Sequence, residues 1–110
     1  MAVYWEKMKH LKLIGLGNNE LDKRSSFLLE KSESFQQYLN EILKKIGIDD
    51  QIYEEEPIGG RIDEIDHFKN EDYDIDVIYT TNKIIILVRA EQINLERFKS
   101  LILAYSKIEG

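Results

Sequence analysis

The chain has few of the residues that build covalent cross-links or multi-ligand metal sites. It contains no cysteine and only two histidines, His10 and His67, among its 110 residues. Disulfides and thiolate metal sites are therefore excluded, and a site built from several histidines is not expected. No serine or threonine lies in the strained strand-to-helix turn that exposes a hydrolase nucleophile. Nucleophilic catalysis is therefore not the expected chemistry.

Long apolar runs are also missing. The longest, Ile84–Val88, has five residues, whereas a membrane-spanning helix needs about 20. Lysines are scattered through the first residues and no small-residue cleavage site follows, so a signal peptide is not expected. The length is that of a single domain, residues 1–110. We expect a soluble protein of the cytoplasm with no membrane partner.

The net charge of −6 is unevenly distributed. Residues 54–76 contain ten acids and two bases, a net charge of −8. Such a segment is either a solvated face or a surface that attracts a basic partner, including a protein that itself binds nucleic acid. Direct nucleic-acid binding is not favoured, because it needs clustered Lys and Arg. The candidate partner-binding residues of this acidic surface are Glu54, Glu55, Glu56, Asp63, Glu64 and Asp66.

Apolar periodicity predicts two amphipathic helices, over residues 32–46 and 94–108. Ser34 and Gln37 have the spacing of a capping box at the start of the first helix, and Gly47 follows its end. That helix extends back to Leu21 if residues 31–32 do not break it. Asn94 is the expected N-cap of the second helix.

Residues 73–90 predict a β-hairpin with a tight turn over 81–83. Its second strand is apolar on both faces, which is typical of a central strand covered on each side. Residues 50–56 predict a short strand, residues 61–69 fit either a helical turn or a bulged strand, and the N-terminal stretch is ambiguous. The expected fold is α+β, a mainly antiparallel sheet with the 73–90 hairpin flanked by the two helices.

Asp74 and Asp76 form the most specific chemical pattern. On a strand, a D-x-D pair places both carboxylates on one face, about 7 Å apart. That arrangement suits a shared Mg²⁺, and it resembles the acidic pair of nucleotidyltransferases, although Gly59-Gly60 lacks the serine that anchors phosphates in that family. The alternative is the solvent face of an edge strand, where charges block aggregation. The stretch 63–67, with Asp63, Glu64, Asp66 and His67, is a second metal candidate, with a solvated acidic loop as its alternative.

The segment from Tyr73 to Ile108, a hairpin followed by an amphipathic helix that opens with Asn94-Leu95, resembles the C-terminal half of roadblock/dynein light chain domains. The resemblance covers residues 32–108. It implies a non-enzymatic scaffold that dimerises and serves small GTPases or motor complexes. The dimer-interface candidates are Ile84, Ile86, Val88, Phe98 and Tyr105.

The sequence thus favours a non-enzymatic interaction or scaffold module, a homodimer or complex subunit with an acidic recognition surface and no cofactor. Two alternatives remain open. One is a Mg²⁺-dependent nucleotidyl or phosphoryl transfer enzyme that uses Asp74 and Asp76. The other is an acidic charge mimic that binds a nucleic-acid-binding protein.

Overall fold

One six-stranded antiparallel sheet and two helices make up the described part of the chain. The structure is a computed structural model and describes residues 11–19, 21–48, 53–55 and 62–106. The strand order is β1-β2-β6-β5-β4-β3. The elements are β1 (Leu13–Asn19), β2 (Arg24–Glu30), α1 (Phe35–Lys45), β3 (Tyr53–Glu55), β4 (Ile62–Lys69), β5 (Asp74–Thr80), β6 (Lys83–Arg89) and α2 (Gln92–Tyr105).

Both helices pack on the same face of the sheet. They contact each other through the rings of Tyr38 and Tyr105, whose centroids are 5.3 Å apart, and Arg97 donates to the carbonyl oxygen of Lys45 at 3.0 Å. Neither described helix lies on the opposite face, which we call the open face. The architecture is a two-layer α+β sandwich, which confirms the predicted fold class.

The core lies between the sheet and the helices. Side chains alternate along each strand, so every second residue points toward the helices. Burying each large apolar side chain contributes roughly 1.5–3 kcal/mol. The residues with the largest fully buried side chains are Leu11, Phe27, Leu29, Leu39, Ile42, Ile75, Val77, Ile84, Ile86, Leu95, Phe98 and Ile102.

Helix α1 begins and ends close to its predicted bounds. Gly47 has a φ of +87° and donates to Lys44 O, while Ile48 donates to Leu43 O. These two bonds form a Schellman motif, in which glycine takes the left-handed position without a Cβ penalty. The predicted capping box is absent, because the Ser34 side chain makes no cap hydrogen bond.

Three expectations about local structure require correction or resolution. The helical extension back to Leu21 is wrong, because Ser25, Phe27 and Leu29 are buried at a strand period of two and belong to β2. Residues 61–69 resolve as strand β4 from residue 62 onward, with a register shift between residues 62 and 64. Helix α2 begins at Gln92 with Glu91 as its N-cap, upstream of the predicted cap.

Strand β6 is central, as predicted, but the described helices cover only one of its sides. It pairs with β2 and β5, and Ile84, Ile86 and Val88 point into the core. On the open face Ile85 is half-buried and Leu87 is 37% exposed. Neither described helix combines the length and apolar character that crossing a membrane requires.

Candidate metal and anion site

Asp74 and Asp76 lie on the open face of β5, as their spacing predicts. Their neighbours Ile75 and Val77 point the other way and are completely buried. Strand β5 pairs with β6 on one side and β4 on the other, so the alternative of an edge strand is wrong. Charges that serve to block strand pairing belong on edges. Blocking of strand pairing therefore does not explain the two carboxylates, whereas their partial exposure on the open face agrees with the predicted solvent-facing side of the strand.

His67 of β4 joins this carboxylate pair. It is the cross-strand partner of Asp76, and its Nδ1 lies 2.5 Å from Asp76 Oδ1. Its Nε2 lies 3.3 Å from Asp74 Oδ1. The imidazole is thus held between the two carboxylates, an arrangement in which both ring nitrogens donate when the ring is protonated. The His67 side chain is 13% exposed, so the group is set into the surface rather than projecting from it.

These three side chains supply a compact donor set. One ligand atom from each lies within 4.8 Å of the others. Adjacent ligands at about 2.1 Å from an octahedral ion are roughly 3 Å apart, so these atoms would have to move closer together to share one ion. One imidazole with two carboxylates suits Mn²⁺, Fe²⁺, Co²⁺ or Zn²⁺, whereas Mg²⁺ prefers oxygen ligands alone.

The group forms one wall of a pocket of about 530 Å³ on the open face. This volume is within the range of small-molecule sites, about 300–1,000 Å³. Leu87 contributes an apolar surface between the strands, and Gly17 and Asn19 of β1 border the far side. The guanidinium-bearing residues Arg24 and Arg89 also line the pocket.

Arg24 and Arg89 are directly opposed across β2 and β6. Like charges at such positions destabilise a sheet. Asp74 is the cross-strand partner of Arg89, but its carboxylate is directed to His67. Within the described ranges, neither arginine makes an ion pair or a side-chain hydrogen bond. The two exposed cations are therefore available to an anionic group in the pocket.

A second carboxyl pair, Glu64 and Asp66, lies on the helix side of β4. Asp66 is buried at 7% exposure and Glu64 is half-buried. A side-chain hydrogen bond that protonated Glu64 donates to Asp66, followed by burial and by the Asp66 charge, raises the pKa of Glu64. Burial, followed by the charges of Asp66 and Glu64, raises the pKa of Tyr79 well above its usual range. Tyr79 therefore stays protonated and neutral at physiological pH.

The predicted acidic recognition surface is not a single exposed face. Asp66 belongs to the buried side of its strand, because it shares that side with Phe68, so its assignment as an exposed partner-binding residue is corrected here. Glu54 and Glu55 lie in β3, Asp63 lies in β4, and Glu56 is outside the described residues.

The predicted dimer-interface residues are largely internal. Ile84, Ile86, Val88 and Phe98 are 0–2% exposed because they lie between the sheet and the helices of the same chain. Tyr105 is half-buried against Tyr38 and beneath the Lys45 ammonium, which lies 5.5 Å from its ring centroid. The four internal residues present no surface to a second copy in this structure, which corrects their assignment to an interface.

Sequence reasoning considered His67 and the Asp74–Asp76 pair, but as parts of separate candidate sites. The missing signal was the short turn between β4 and β5. Asn70 Oδ1 accepts the backbone N–H groups of Asp72 and Tyr73 at 2.8 Å each, which fixes a tight reversal. A hairpin with its turn at Asn70 pairs His67 with Asp76. This register of β4 against β5 brings His67 beside Asp74 and Asp76.

The chain matches no protein-family model, no curated protein and no solved structure. The resemblance of residues 32–108 to roadblock/dynein light chain domains therefore stays a prediction.

Proposed function

We propose that the open face of the sheet binds a divalent metal ion through His67, Asp74 and Asp76. An anionic ligand then lies between this ion and the guanidinium groups of Arg24 and Arg89. The observation that carries the proposal is the convergence on one pocket of three side chains that can ligate a metal and two arginines that have no ion-pair partner among the described residues.

The donor set defines the class of metal. Carboxylates alone would favour Mg²⁺, which is the expectation from Asp74 and Asp76 without a third ligand. The imidazole of His67 shifts the preference toward Mn²⁺, Co²⁺ or Zn²⁺. Three protein ligands leave further coordination positions for water or for oxygen atoms of the ligand.

The arginines define the class of ligand. A planar guanidinium binds phosphate or carboxylate oxygens through paired hydrogen bonds. A group held by both arginines and the metal would have its charge compensated from two sides. A small phosphate-bearing molecule fits this chemistry and the pocket volume of about 530 Å³. The Mg²⁺-dependent transfer enzyme proposed from the sequence would use the same carboxylates.

Metal binding is tested by titrating the protein with Mn²⁺ and counting the free ion by electron paramagnetic resonance. We expect one bound ion per chain, and Asp74→Asn/Asp76→Asn should weaken binding by more than about 100-fold, beyond the 10–100-fold cost of losing an outer-shell partner. Glu71→Gln/Asp72→Asn removes the same charge from the adjacent exposed turn and should bind Mn²⁺ as the parent does. Absence of Mn²⁺ and Zn²⁺ binding at millimolar concentration would overturn the proposal.

The anion arm uses inorganic phosphate as the probe, added to the Mn²⁺-loaded protein in a calorimeter. Arg24→Gln/Arg89→Gln should abolish the heat of phosphate binding and leave Mn²⁺ affinity within a few-fold of the parent. The charge-matched control is Lys83→Gln/Lys99→Gln, which should retain phosphate binding. Equal loss in both double variants would mean that net charge, rather than the pocket, attracts phosphate.

A further inference from the structure

The two edges of the sheet differ in length and charge. Strand β3 closes one edge with three residues, Tyr53–Glu55, two of which are glutamates. A short, charged edge strand resists pairing with another chain. Strand β1 closes the other edge with seven residues and contains neither a charged residue nor a proline.

Strand β1 has the properties of an edge that accepts another strand. Ile14 is 47% exposed and Leu16 is 49% exposed. Leu16 also borders a groove of about 300 Å³ between β1 and α2. From Gly15 to Asn19 the register with β2 is regular, and the one irregularity lies between Leu13 and Gly15. No strand of the described segments pairs with the outer side of β1. Unpaired backbone groups on such a strand are a template for β-augmentation.

We infer that β1 is the homodimer interface: two copies pair their β1 strands antiparallel about a two-fold axis. This makes one continuous sheet of twelve strands from the two six-stranded halves. An isologous contact requires a self-complementary surface, and an uncharged strand satisfies this without like-charge repulsion.

The charge distribution of the chain favours a second copy at this edge. The acidic segment 54–76 carries a net charge of −8 and contains most of β3 and all of β4. Pairing through β1 separates the two β4 strands by nine strand spacings, roughly 43 Å at about 4.8 Å each. The Debye length is about 8 Å at physiological salt, so the two acidic segments do not repel appreciably. Pairing through β3 would place them side by side.

The same two-fold axis leaves the metal and anion pockets accessible. It runs normal to the sheet, so the open faces of both copies point in one direction. Strand β1 borders each pocket through Gly17 and Asn19, so the two pockets lie on either side of the new seam. The dimer does not depend on the metal, and its mass should be the same with and without EDTA.

The test is solution mass by light scattering over a range of concentrations. Edge pairing over a few residues buries less than a standard interface, so the parent should move from 13.0 kDa toward twice that mass as concentration rises. Leu16→Lys places a charge at the seam and should remain monomeric. Leu21→Lys is the matched control, since Leu21 is 95% exposed in the β1–β2 turn, and it should dimerise as the parent does.

A second variant distinguishes loss of the interface from misfolding of the Leu16→Lys protein. Ile14→Lys charges the same edge at another exposed position and should also remain monomeric with a parental circular dichroism spectrum. A parent that stays monomeric at millimolar concentration would overturn the inference. A dimer that persists in both edge variants would also overturn it, because the interface would then lie elsewhere.

Discussion

Phe98→Ala should strongly destabilise the chain without acting through self-association. Phe98 is on α2 and is completely buried. Its ring centroid lies 5.5 Å from that of Phe27 on β2 and 6.2 Å from that of Tyr73, just before β5. One side chain thus joins the helix layer to two different parts of the sheet.

The expected cost follows from these contacts. Truncating a buried Phe to Ala costs about 3–5 kcal/mol through lost transfer free energy and the cavity left behind. Each tilted aromatic pair contributes about 0.5–1.5 kcal/mol beyond its area, so the loss for Phe98 should reach at least the middle of that range, about 4 kcal/mol. Domains have a total stability of only about 5–15 kcal/mol. The substitution should therefore remove a large fraction of the free energy of unfolding.

The assay is urea denaturation followed by circular dichroism at low protein concentration. With an m-value of about 2 kcal/mol/M, the midpoint should fall by roughly 2 M. Phe98→Leu, which keeps most of the volume but loses both ring pairs, should lose less than Phe98→Ala does. Ile93→Ala on the same helix, 76% exposed, should stay within about 0.5 kcal/mol of the parent. A loss below about 1 kcal/mol for Phe98→Ala, combined with weaker dimerisation, would refute this reasoning.

Three further substitutions test local features. The pKa of Glu64 is raised in the folded state, so above pH 4.5 the native state keeps Glu64 protonated while the unfolded state loses the proton. The free energy of unfolding should therefore fall as pH rises above that value. Glu64→Gln should remove that fall, measured as urea midpoints between acidic and neutral pH, and an unchanged pH profile would contradict it. Gly47→Ala should cost about 1 kcal/mol in thermal unfolding, since its φ is +87°. Gly15→Ala is its control, because the added Cβ meets only Leu28 Cβ at 3.8 Å. Asn70→Ala should cost about 1–3 kcal/mol, because its side chain bonds Ile46 O and two turn amides; a neutral result would show that water replaces these bonds.

The elements with strong periodicity were predictable from the sequence. Helix α1 has a single apolar stripe and a glycine at its end, and the β5–β6 hairpin alternates clearly on its first strand. Local propensity and global packing agree in both, so their type and approximate bounds follow from the residues alone.

The N-terminal half was less predictable, because its local pattern is consistent with more than one structure. Phe27, Leu28 and Leu29 are consecutive apolar residues, and periodicity cannot assign such a run to helix or strand. Pairing with β6 decides in favour of strand, and that pairing is a long-range contact. The sequence also predicted that β6 is covered on both faces, because Ile85 and Leu87 are apolar. The described helices cover only the other face of this strand.

The candidate site was only half predictable. Asp74 and Asp76 share a face because of strand geometry, and this follows from their spacing. The contribution of His67 depends on the β4–β5 register, and that of Arg24 and Arg89 depends on β2 lying beside β6. Residues brought together by sheet register leave no contiguous motif in the sequence.

The position of β6 between β2 and β5 also has a consequence for how the chain folds. Among the described strands, the N-terminal hairpin β1–β2 pairs with the rest of the sheet through β6 alone, and β6 is the last of these strands in the sequence. Phe27 and Ile86 are cross-strand neighbours, so this contact closes a long loop, and such non-local pairing slows folding. We therefore expect the apolar side of β2 to stay uncovered during synthesis until β6 and α2 have left the ribosome. A chain truncated after Thr80 should leave the hairpin undocked and prone to aggregation.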